Sequence, residues 1–424
     1  MQKTFFKNLS YLTLIQISNT IIPLIIIPYL ANRVTQGSFG NLEFARYFCY
    51  FFSIIINFGF DVTITRKITL RKNEFHYVNN IVCQTFYSKT ILLFISGFFY
   101  FIIINSVPSL QDIIFLLTVT FAINIGFVLF PVWFFQGIEE LSKISLINFF
   151  IKIIIALLTV LLIKKNSDYW IFNYLQSMSF ILLGLVSLVF LKVKYKLKIF
   201  KIDLPIIKEI LIEGLPIFLS TILVTFISMM FFVFLKLYSN ESELGAFSTS
   251  HKIVASLQAL ILLPFSQAFF PMITRHAKQD IMLFRKNINL SAFILIIVTG
   301  LIGLFLILYA DLSIKILFGS KYLYASQSLK VLAFLPMLML LNNVFAYQGL
   351  LSLKKDKIFM YIHFFGSFFS VLICFIFKNH LNANLASEIR VGVELTLLVL
   401  TLYFYLKTLN KETLKYTNAQ QNDF

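Results

Sequence analysis

The chain has few charged residues, few cysteines and none of the short motifs that hold a nucleotide phosphate or a catalytic metal. Only 13% of its 424 residues are charged and 59% are hydrophobic, whereas soluble domains have about 25% charged and about 45–50% apolar residues. A soluble fold is therefore excluded. Without a phosphate-binding glycine loop, a His-Glu-x-x-His motif or a Gly-x-Ser-x-Gly motif, ATP hydrolysis and metal-assisted catalysis within this chain are not expected. The three cysteines, Cys49, Cys83 and Cys374, all lie in apolar segments, where they pack as small apolar groups. We expect no metal and no cofactor.

What the chain has instead is a series of twelve apolar segments, each near the ~20 residues that a helix needs to cross a bilayer. They cover residues 9–30, 42–64, 80–104, 112–135, 144–163, 168–191, 215–235, 246–271, 288–309, 327–351, 357–377 and 384–406. Because unpaired backbone groups are too costly in lipid, these segments must be helices. The first segment is too long for a signal peptide and lacks a cleavage site, so it is expected to remain as the first helix.

The positive charge is unevenly divided between the two sides of the predicted membrane. The net charge is +17, and the termini with the even-numbered loops hold 23 lysines and arginines against 7 in the opposite loops. The positive-inside rule therefore places both termini in the cytoplasm, and nucleic acid is not needed as a partner. The basic run from Lys192 to Lys201 has two interpretations, contact with anionic lipid headgroups or a solvated topology signal. The sequence favours the second.

Two pairs of landmarks indicate an internal repeat. Gly37-Ser38-Phe39 and Gly245-Ala246-Phe247 are 208 residues apart, while Gln136-Gly137, after Trp133, and Gln348-Gly349 are 212 apart. Each half has an even number of segments, so we predict two six-helix bundles related by a pseudo-two-fold axis along the membrane normal, with a cavity between them. The predicted bundles are residues 1–191 and 214–407, joined by a basic linker at 192–213 and followed by a cytoplasmic tail at 408–424.

Charged residues inside the apolar segments are the candidate site, because a charge at mid-membrane is costly and is retained for a function. The predicted cavity cations are Arg46, Lys89, Lys152, Lys252 and Arg390. The first four share a helical face with serine, threonine or asparagine, as expected of a wet wall. Since cations outnumber carboxylates, the cavity is predicted to attract an anion such as phosphate or pyrophosphate. Lys330 begins its segment and is predicted to reach the interface instead.

Several of these residues have a second interpretation that the sequence leaves open. Arg390 and Glu394 are four residues apart and are either site residues or a structural ion pair. Asp61 is either an ion-coupling carboxylate or, as the sequence favours, a local partner of Arg66. His363 is a further candidate for ion coupling, although a helix-packing role is favoured. Candidate bending points include Pro23 and Pro264.

Four stretches resemble the Wzx-type polysaccharide (O-antigen) flippases of the multidrug/oligosaccharidyl-lipid/polysaccharide (MOP) exporter superfamily. They are Gly37-Ser38-Phe39-Gly40, Phe58-Gly59-Phe60-Asp61, Pro131-Val132-Trp133-Phe134-Phe135-Gln136-Gly137-Ile138-Glu139, and Leu263-Pro264 with Gln267-Ala268-Phe269-Phe270-Pro271. The resemblance implies a fold like that of the MATE transporters, with two six-helix bundles in the bacterial inner membrane. It also implies that undecaprenyl-pyrophosphate-linked oligosaccharide is moved from the cytoplasmic to the periplasmic leaflet for lipopolysaccharide biosynthesis, driven by an ion gradient as in an antiporter. Polysaccharide polymerase and chain-length proteins would then be partners.

Two other functions are alternatives to this one. A cation-coupled multidrug exporter of the same superfamily would need intramembrane carboxylates, which are few here and lie near helix ends. A membrane-embedded polysaccharide polymerase or ligase would need a large periplasmic loop, and the longest loop on that side, near residues 310–325, is too short for one. The sequence therefore favours a transporter over an enzyme.

Overall fold

A computed structural model describes residues 2–422, together with the side chains of residues 18–414 except those at 143, 263, 264, 266–268, 270–272, 274, 275, 278 and 279. The described chain is all-helical, and ten helical stretches within it are long and apolar enough to cross a membrane. Each of the ten coincides with one of the twelve predicted segments. The other two predicted segments fall in helices Gln2–Arg33 and Glu241–Gln279, which include side chains outside the described set. The chain is a multi-pass membrane protein.

Contacts divide the chain into two compact units, Met1–Leu237 and Tyr238–Phe424. The helices of the first unit are α1 (Gln2–Arg33), α2 (Gln36–Asn57), α3 (Phe60–Leu70), α4 (Phe75–Ser106), α5 (Ile114–Phe121), α6 (Ile123–Leu129), α7 (Val132–Gly137), α8 (Ser142–Leu162), α9 (Trp170–Val193) and α10 (Leu204–Tyr238). Those of the second are α11 (Glu241–Gln279), α12 (Ile281–Leu308), α13 (Ala310–Phe318), α14 (Ala325–Leu332), α15 (Leu335–Asn342), a π-helical turn (Asn343–Leu350), α16 (Asp356–Ile376) and α17 (Ala383–Asn422).

The repeated landmarks lie at corresponding places in the helices. Thr35 caps α2, since its Oγ1 accepts the backbone N–H of Ser38 at 3.2 Å, and Asn240 caps α11 by accepting the N–H of Glu243 at 2.9 Å. The Gly-x-Phe landmarks therefore both lie in or next to the first turns of capped helices.

Helix α10, which belongs to the first unit, runs antiparallel along α2 and α3 and contacts them through side chains. Residue numbers rise along α10 as they fall along its partners. From the α3 side, the contacts are Lys67 with Glu209 and Glu213, Phe58 stacked on Phe218 with ring centroids 4.4 Å apart, Phe51 beside Phe226, Tyr47 stacked on Phe232 at 4.2 Å, and Lys236 with Asn41 and Asp112. The predicted boundary at 192–213 would instead assign the membrane-spanning part of this helix to the second half.

The tightest point of this packing lies at the break between α2 and α3. Phe58 and Gly59 both have positive φ, 44° and 77°, which ends α2 and restarts the chain as α3. Here α10 presents Gly214, and a Cβ added to Gly214 would lie 2.3 Å from the carbonyl oxygen of Phe58. Only glycine fits at this crossing without separating the two helices.

Replacing Gly214 with alanine is expected to destabilise the protein by about 1–3 kcal/mol, the usual cost of overpacking. Thermal unfolding of the purified protein in detergent measures the effect. Gly300→Ala is the matched control, because an added Cβ at Gly300 meets nothing within 4 Å and alanine is the better helix former. The control should be neutral or slightly stabilising, and equal midpoints for the two variants would contradict the close crossing.

Candidate functional site

Lys152 is a buried cation held by neutral groups. It lies at the middle of α8, about 15 Å from either end at 1.5 Å per residue, and it is 3% exposed. Its Nζ donates to Gln176 Oε1 at 3.0 Å and to Ser179 Oγ at 2.9 Å, and it lies 4.5 Å from the centroid of the Phe180 ring. Among the described side chains it forms no ion pair with a carboxylate. Its charge is therefore available to an anion.

Lys152 lines a cavity within the first unit. The cavity has a volume of about 310 Å³ and is bordered by α1, α2, α5, α6, α8 and α9. Its wall combines Lys152 and Arg46 with polar Asn19, Thr120 and Gln176, with Pro23 and Ile123, and with five aromatic residues, Tyr47, Tyr50, Phe127, Phe172 and Phe180. No described lining residue is a carboxylate. The wall is thus basic and aromatic, a combination that favours an anion joined to a ring.

Arg46 lies on the same cavity but is partly neutralised. Its Nη1 contacts Glu43 Oε1 at 2.6 Å, and the Glu43 side chain is buried. The pair leaves the guanidinium at the cavity wall with a compensating charge behind it. Arg46 can therefore orient an anion through its remaining N–H donors, while Lys152 contributes the uncompensated charge.

Lys89 and Asp61 lie in the same unit on other helices. Lys89 is 1% exposed on α4, and its Nζ donates to the carbonyl oxygen of Phe127 at 2.6 Å. Asp61 is exposed in the first turn of α3. In the described part of the chain it forms no ion pair with Arg66, and its role stays a prediction.

Arg390 and Glu394 form a buried ion pair in the second unit. The Arg390 Nη1 lies 2.7 Å from Glu394 Oε2, and both residues are almost fully buried on α17. Glu394 Oε1 also accepts the amide of Asn342 at 2.9 Å. The ion pair that the spacing of four residues indicated is therefore present, and whether Arg390 also binds substrate stays a prediction.

The remaining predicted site residues of the second unit are Lys252, His363 and Pro264. Lys252 is partly buried on α11. His363 lies on α16, with its Nδ1 2.9 Å from the carbonyl oxygen of Phe359, and its ring packs against the Phe359 ring at 4.2 Å. Pro264 lies outside the residues whose side chains the structure describes.

The landmark residues pack helix ends together. Trp133 is fully buried against Phe86, and its carbonyl oxygen accepts the Thr65 hydroxyl at 3.1 Å. The same hydroxyl lies 3.4 Å from Gln136 Oε1. A Cβ added to Gly137 would meet Ile68 at 2.7 Å, so α7 lies directly on α3.

The equivalent landmark of the second unit lies in the π-helical turn, where Gln348 is fully buried and its Nε2 lies 3.3 Å from Asn343 Oδ1. A Cβ added to Gly349 would lie 2.9 Å from the Tyr405 ring. Both Gln-Gly landmarks therefore support close helix packing.

Sequence reasoning missed the residues on α9 that hold Lys152. They are Gln176 and Ser179, and their spacing of three residues begins one step earlier at Asn173. This is the same kind of polar stripe that singled out Lys152 on α8. The aromatic residues of the wall carry no comparable signal, because the chain contains 51 phenylalanines and 19 tyrosines.

Comparisons with known proteins agree with this architecture. A family model described as polysaccharide biosynthesis protein matches residues 5–277. A candidate O-antigen transporter of Escherichia coli (strain K12) is 26% identical over 373 residues, which cover 87% of this chain and 89% of that protein. A MOP superfamily transporter from Pyrococcus furiosus superposes with a TM-score of 0.63 at 16% identity, covering 96% of this chain and 94% of that one. The lipid II flippase MurJ, in an inward closed conformation, gives a TM-score of 0.63 at 14% identity, with coverages of 94% and 92%.

The two structural matches establish a shared fold, and the family model covers more than half of the chain. The predicted resemblance to Wzx-type flippases of the MOP superfamily is thereby confirmed, and the chain belongs to the family of polysaccharide biosynthesis proteins.

Proposed function

We propose that the protein moves an undecaprenyl-pyrophosphate-linked oligosaccharide, the O-antigen repeat unit, from the cytoplasmic to the periplasmic leaflet of the bacterial inner membrane. In this proposal the protein is a transporter rather than an enzyme, and its two six-helix bundles move so that the site opens to one side of the membrane at a time. Both termini are cytoplasmic. The translocated unit then becomes the substrate of the polymerase and chain-length proteins on the periplasmic side. The relative named as a candidate O-antigen transporter supports the class of cargo.

The observation that carries the proposal is Lys152, a mid-membrane ammonium bound only to neutral acceptors at the wall of a cavity. A pyrophosphate cannot cross the hydrocarbon core unless its charge is compensated, because a charge in lipid is costly. An ammonium already desolvated by the protein forms strong charge-assisted hydrogen bonds with phosphate oxygens. Binding would therefore relieve two unfavourable charges at once, and this relief lowers the barrier to translocation.

The cavity also has features suited to the sugar next to the pyrophosphate. At about 310 Å³ it lies at the lower end of the ~300–1,000 Å³ typical of small-molecule sites. Tyr47, Tyr50 and Phe172 supply aromatic faces on which a sugar ring can stack, and the tyrosine hydroxyls can form hydrogen bonds with it. We infer that the pyrophosphate and first sugar occupy this cavity, while the rest of the glycan extends beyond it and the polyprenyl chain stays in lipid.

A multidrug exporter of the same superfamily is the alternative, and the sign of the cavity argues against it. A cationic drug requires a carboxylate at the site, whereas the described lining residues include two cations and no carboxylate.

The residue that couples transport to an ion gradient is proposed separately from the cavity. We propose Asp61 for it, because Glu394 is already paired with Arg390 and His363 contacts a backbone carbonyl.

Transport by the purified protein in proteoliposomes distinguishes these functions. We expect it to expose a fluorescent polyprenyl-pyrophosphate-linked oligosaccharide to an impermeant glycosidase added outside, in a time-dependent manner. We expect no accumulation of a cationic dye under the same ion gradient. Dye transport without oligosaccharide exposure would favour the exporter and contradict our proposal.

A further inference from the structure

The backbone of the basic linker is hydrogen-bonded to side chains of α4. The docked segment, residues 194–203, runs between the end of α9 and the start of α10. Gln84 holds it from both sides, donating from Nε2 to the carbonyl oxygen of Lys201 at 2.8 Å and accepting the N–H of Asp203 at 3.0 Å. Tyr87 donates to the carbonyl oxygen of Phe200 at 2.9 Å. These hydrogen bonds fix the position of the docked segment along α4.

The outward side chains of the docked segment and its flanks combine aliphatic residues with lysines. Ile199 is 90% exposed, and Val193, Ile202 and Leu204 are also exposed. The exposed lysines of the same stretch are Lys192, Lys194, Lys196, Lys198 and Lys201. In water, four exposed aliphatic side chains within twelve residues would be an aggregation liability. At a membrane surface the same alternation is favourable, because aliphatic groups enter the acyl boundary while ammonium groups stay among the headgroups.

The segment also lies at the level where the lipid-facing surface begins. The exposed apolar residues of α4 resume at Ile91, four residues beyond Tyr87, which corresponds to about 6 Å along the helix. The exposed apolar face of α9 continues through Val189 to Val193 and leads directly into the segment. Both flanking helices therefore place residues 194–203 at the boundary between hydrocarbon and water.

Most of the positive charge of this surface is uncompensated by the protein. Lys194 is the exception, since it pairs with Glu140, and hydrogen bonds to Glu140 and to the Tyr195 hydroxyl raise its pKa. Asp203 uses its Oδ1 to accept the backbone N–H of Ile206 at 3.2 Å. Lys192, Lys196, Lys198 and Lys201 form no ion pair with any side chain that the structure describes.

We propose that residues 192–204 form an interfacial binding surface for anionic phospholipids of the cytoplasmic leaflet. The four lysines bind headgroup phosphates, and Ile199 and Ile202 enter the acyl boundary. The surface is distinct from the cavity around Lys152 and does not depend on what the cavity transports. It replaces the solvated topology signal that the sequence alone favoured.

The first test counts bound lipid by native mass spectrometry of the full-length protein released from membranes containing phosphatidylglycerol. The linker variant is K192Q/K196Q/K198Q/K201Q, and the matched control K286Q/K354Q/K357Q/K411Q removes four other exposed lysines. We expect phosphatidylglycerol affinity to fall in the linker variant alone, by roughly fivefold for each lysine that contacts a headgroup. Equal retention in both variants, or equal loss from both, would overturn the proposal.

A second test measures depth and does not depend on the charge variants. The three native cysteines are buried, so a nitroxide can be attached selectively to Ile199→Cys in nanodiscs with or without phosphatidylglycerol. We expect the label to be more accessible to oxygen than to a water-soluble nickel reagent, and to lie deeper when phosphatidylglycerol is present. A label that is accessible to the nickel reagent in both nanodiscs would contradict insertion, and the same depth in both would contradict anionic selectivity.

Discussion

Replacing Lys152 with methionine is expected to reduce oligosaccharide export by at least about tenfold while leaving the protein as stable as the wild type or more stable. A charge-assisted hydrogen bond is worth roughly 1.5–3 kcal/mol, which corresponds to roughly 10- to 150-fold. Stability should not fall, because methionine is unbranched and nearly as long as lysine and removes a buried charge that has no carboxylate partner among the described residues. Gln176 loses a donor but borders the cavity, where water can replace it. Surface polysaccharide in cells lacking their own flippase and the thermal midpoint of the purified protein measure the two effects.

Lys330→Met is the matched control for this variant. Lys330 is exposed, and its Nζ lies 3.8 Å from Asp311 at the protein surface. The control should export normally at normal protein level. Normal export by the Lys152 variant would remove this residue from the site, and loss of export together with a lower thermal midpoint would indicate a structural role instead.

Replacing Arg390 with methionine is expected to destabilise the protein by about 3–5 kcal/mol, the largest effect on stability that we predict. The substitution leaves Glu394 buried without its counter-ion, and an unpaired buried charge costs more than the pair contributes. Thermal or denaturant unfolding of the purified variant measures the loss.

The double variant Arg390→Met with Glu394→Met separates a structural pair from a substrate-binding residue. It removes both charges, so most of the lost stability should return. A deficit of about 1 kcal/mol should remain, because Asn342 loses its acceptor. Export should return with stability if the pair is structural, as its geometry indicates. A stable double variant that cannot export would restore Arg390 to the binding site.

The membrane-spanning helices could be predicted from the sequence because hydropathy is summed over some twenty residues and tolerates local errors. The burial of Lys152 inside the protein could be predicted from helical phase, because Lys152 shares a polar helix face with Asn148 and Thr159. The ion pair of Arg390 with Glu394 followed from a spacing of four residues. The pair of Arg46 with Glu43, three residues apart, was equally accessible to that reasoning and was overlooked.

Contacts between distant segments could not be predicted in this way. The stacking of Phe58 on Phe218 joins residues 160 positions apart, and nothing in the sequence distinguishes these two from the other phenylalanines. The docking of the linker depends on the side-chain amide of Gln84, which bonds to two backbone groups, so the sequence showed the charges of the linker but not its contacts with α4. Asp61 was paired with Arg66 because they are neighbours along the chain, whereas the fold leaves the carboxylate exposed.

Binding of a short-chain polyprenyl-pyrophosphate-linked sugar to the purified protein, compared between the wild type and Lys152→Met, tests most directly whether the buried ammonium receives the pyrophosphate. We predict saturable binding to the wild type that raises its thermal midpoint, as expected of a ligand that binds only the folded state, and roughly 10- to 150-fold weaker binding to the variant. Equal affinity of the two proteins, or binding that does not require the pyrophosphate, would contradict the proposed site.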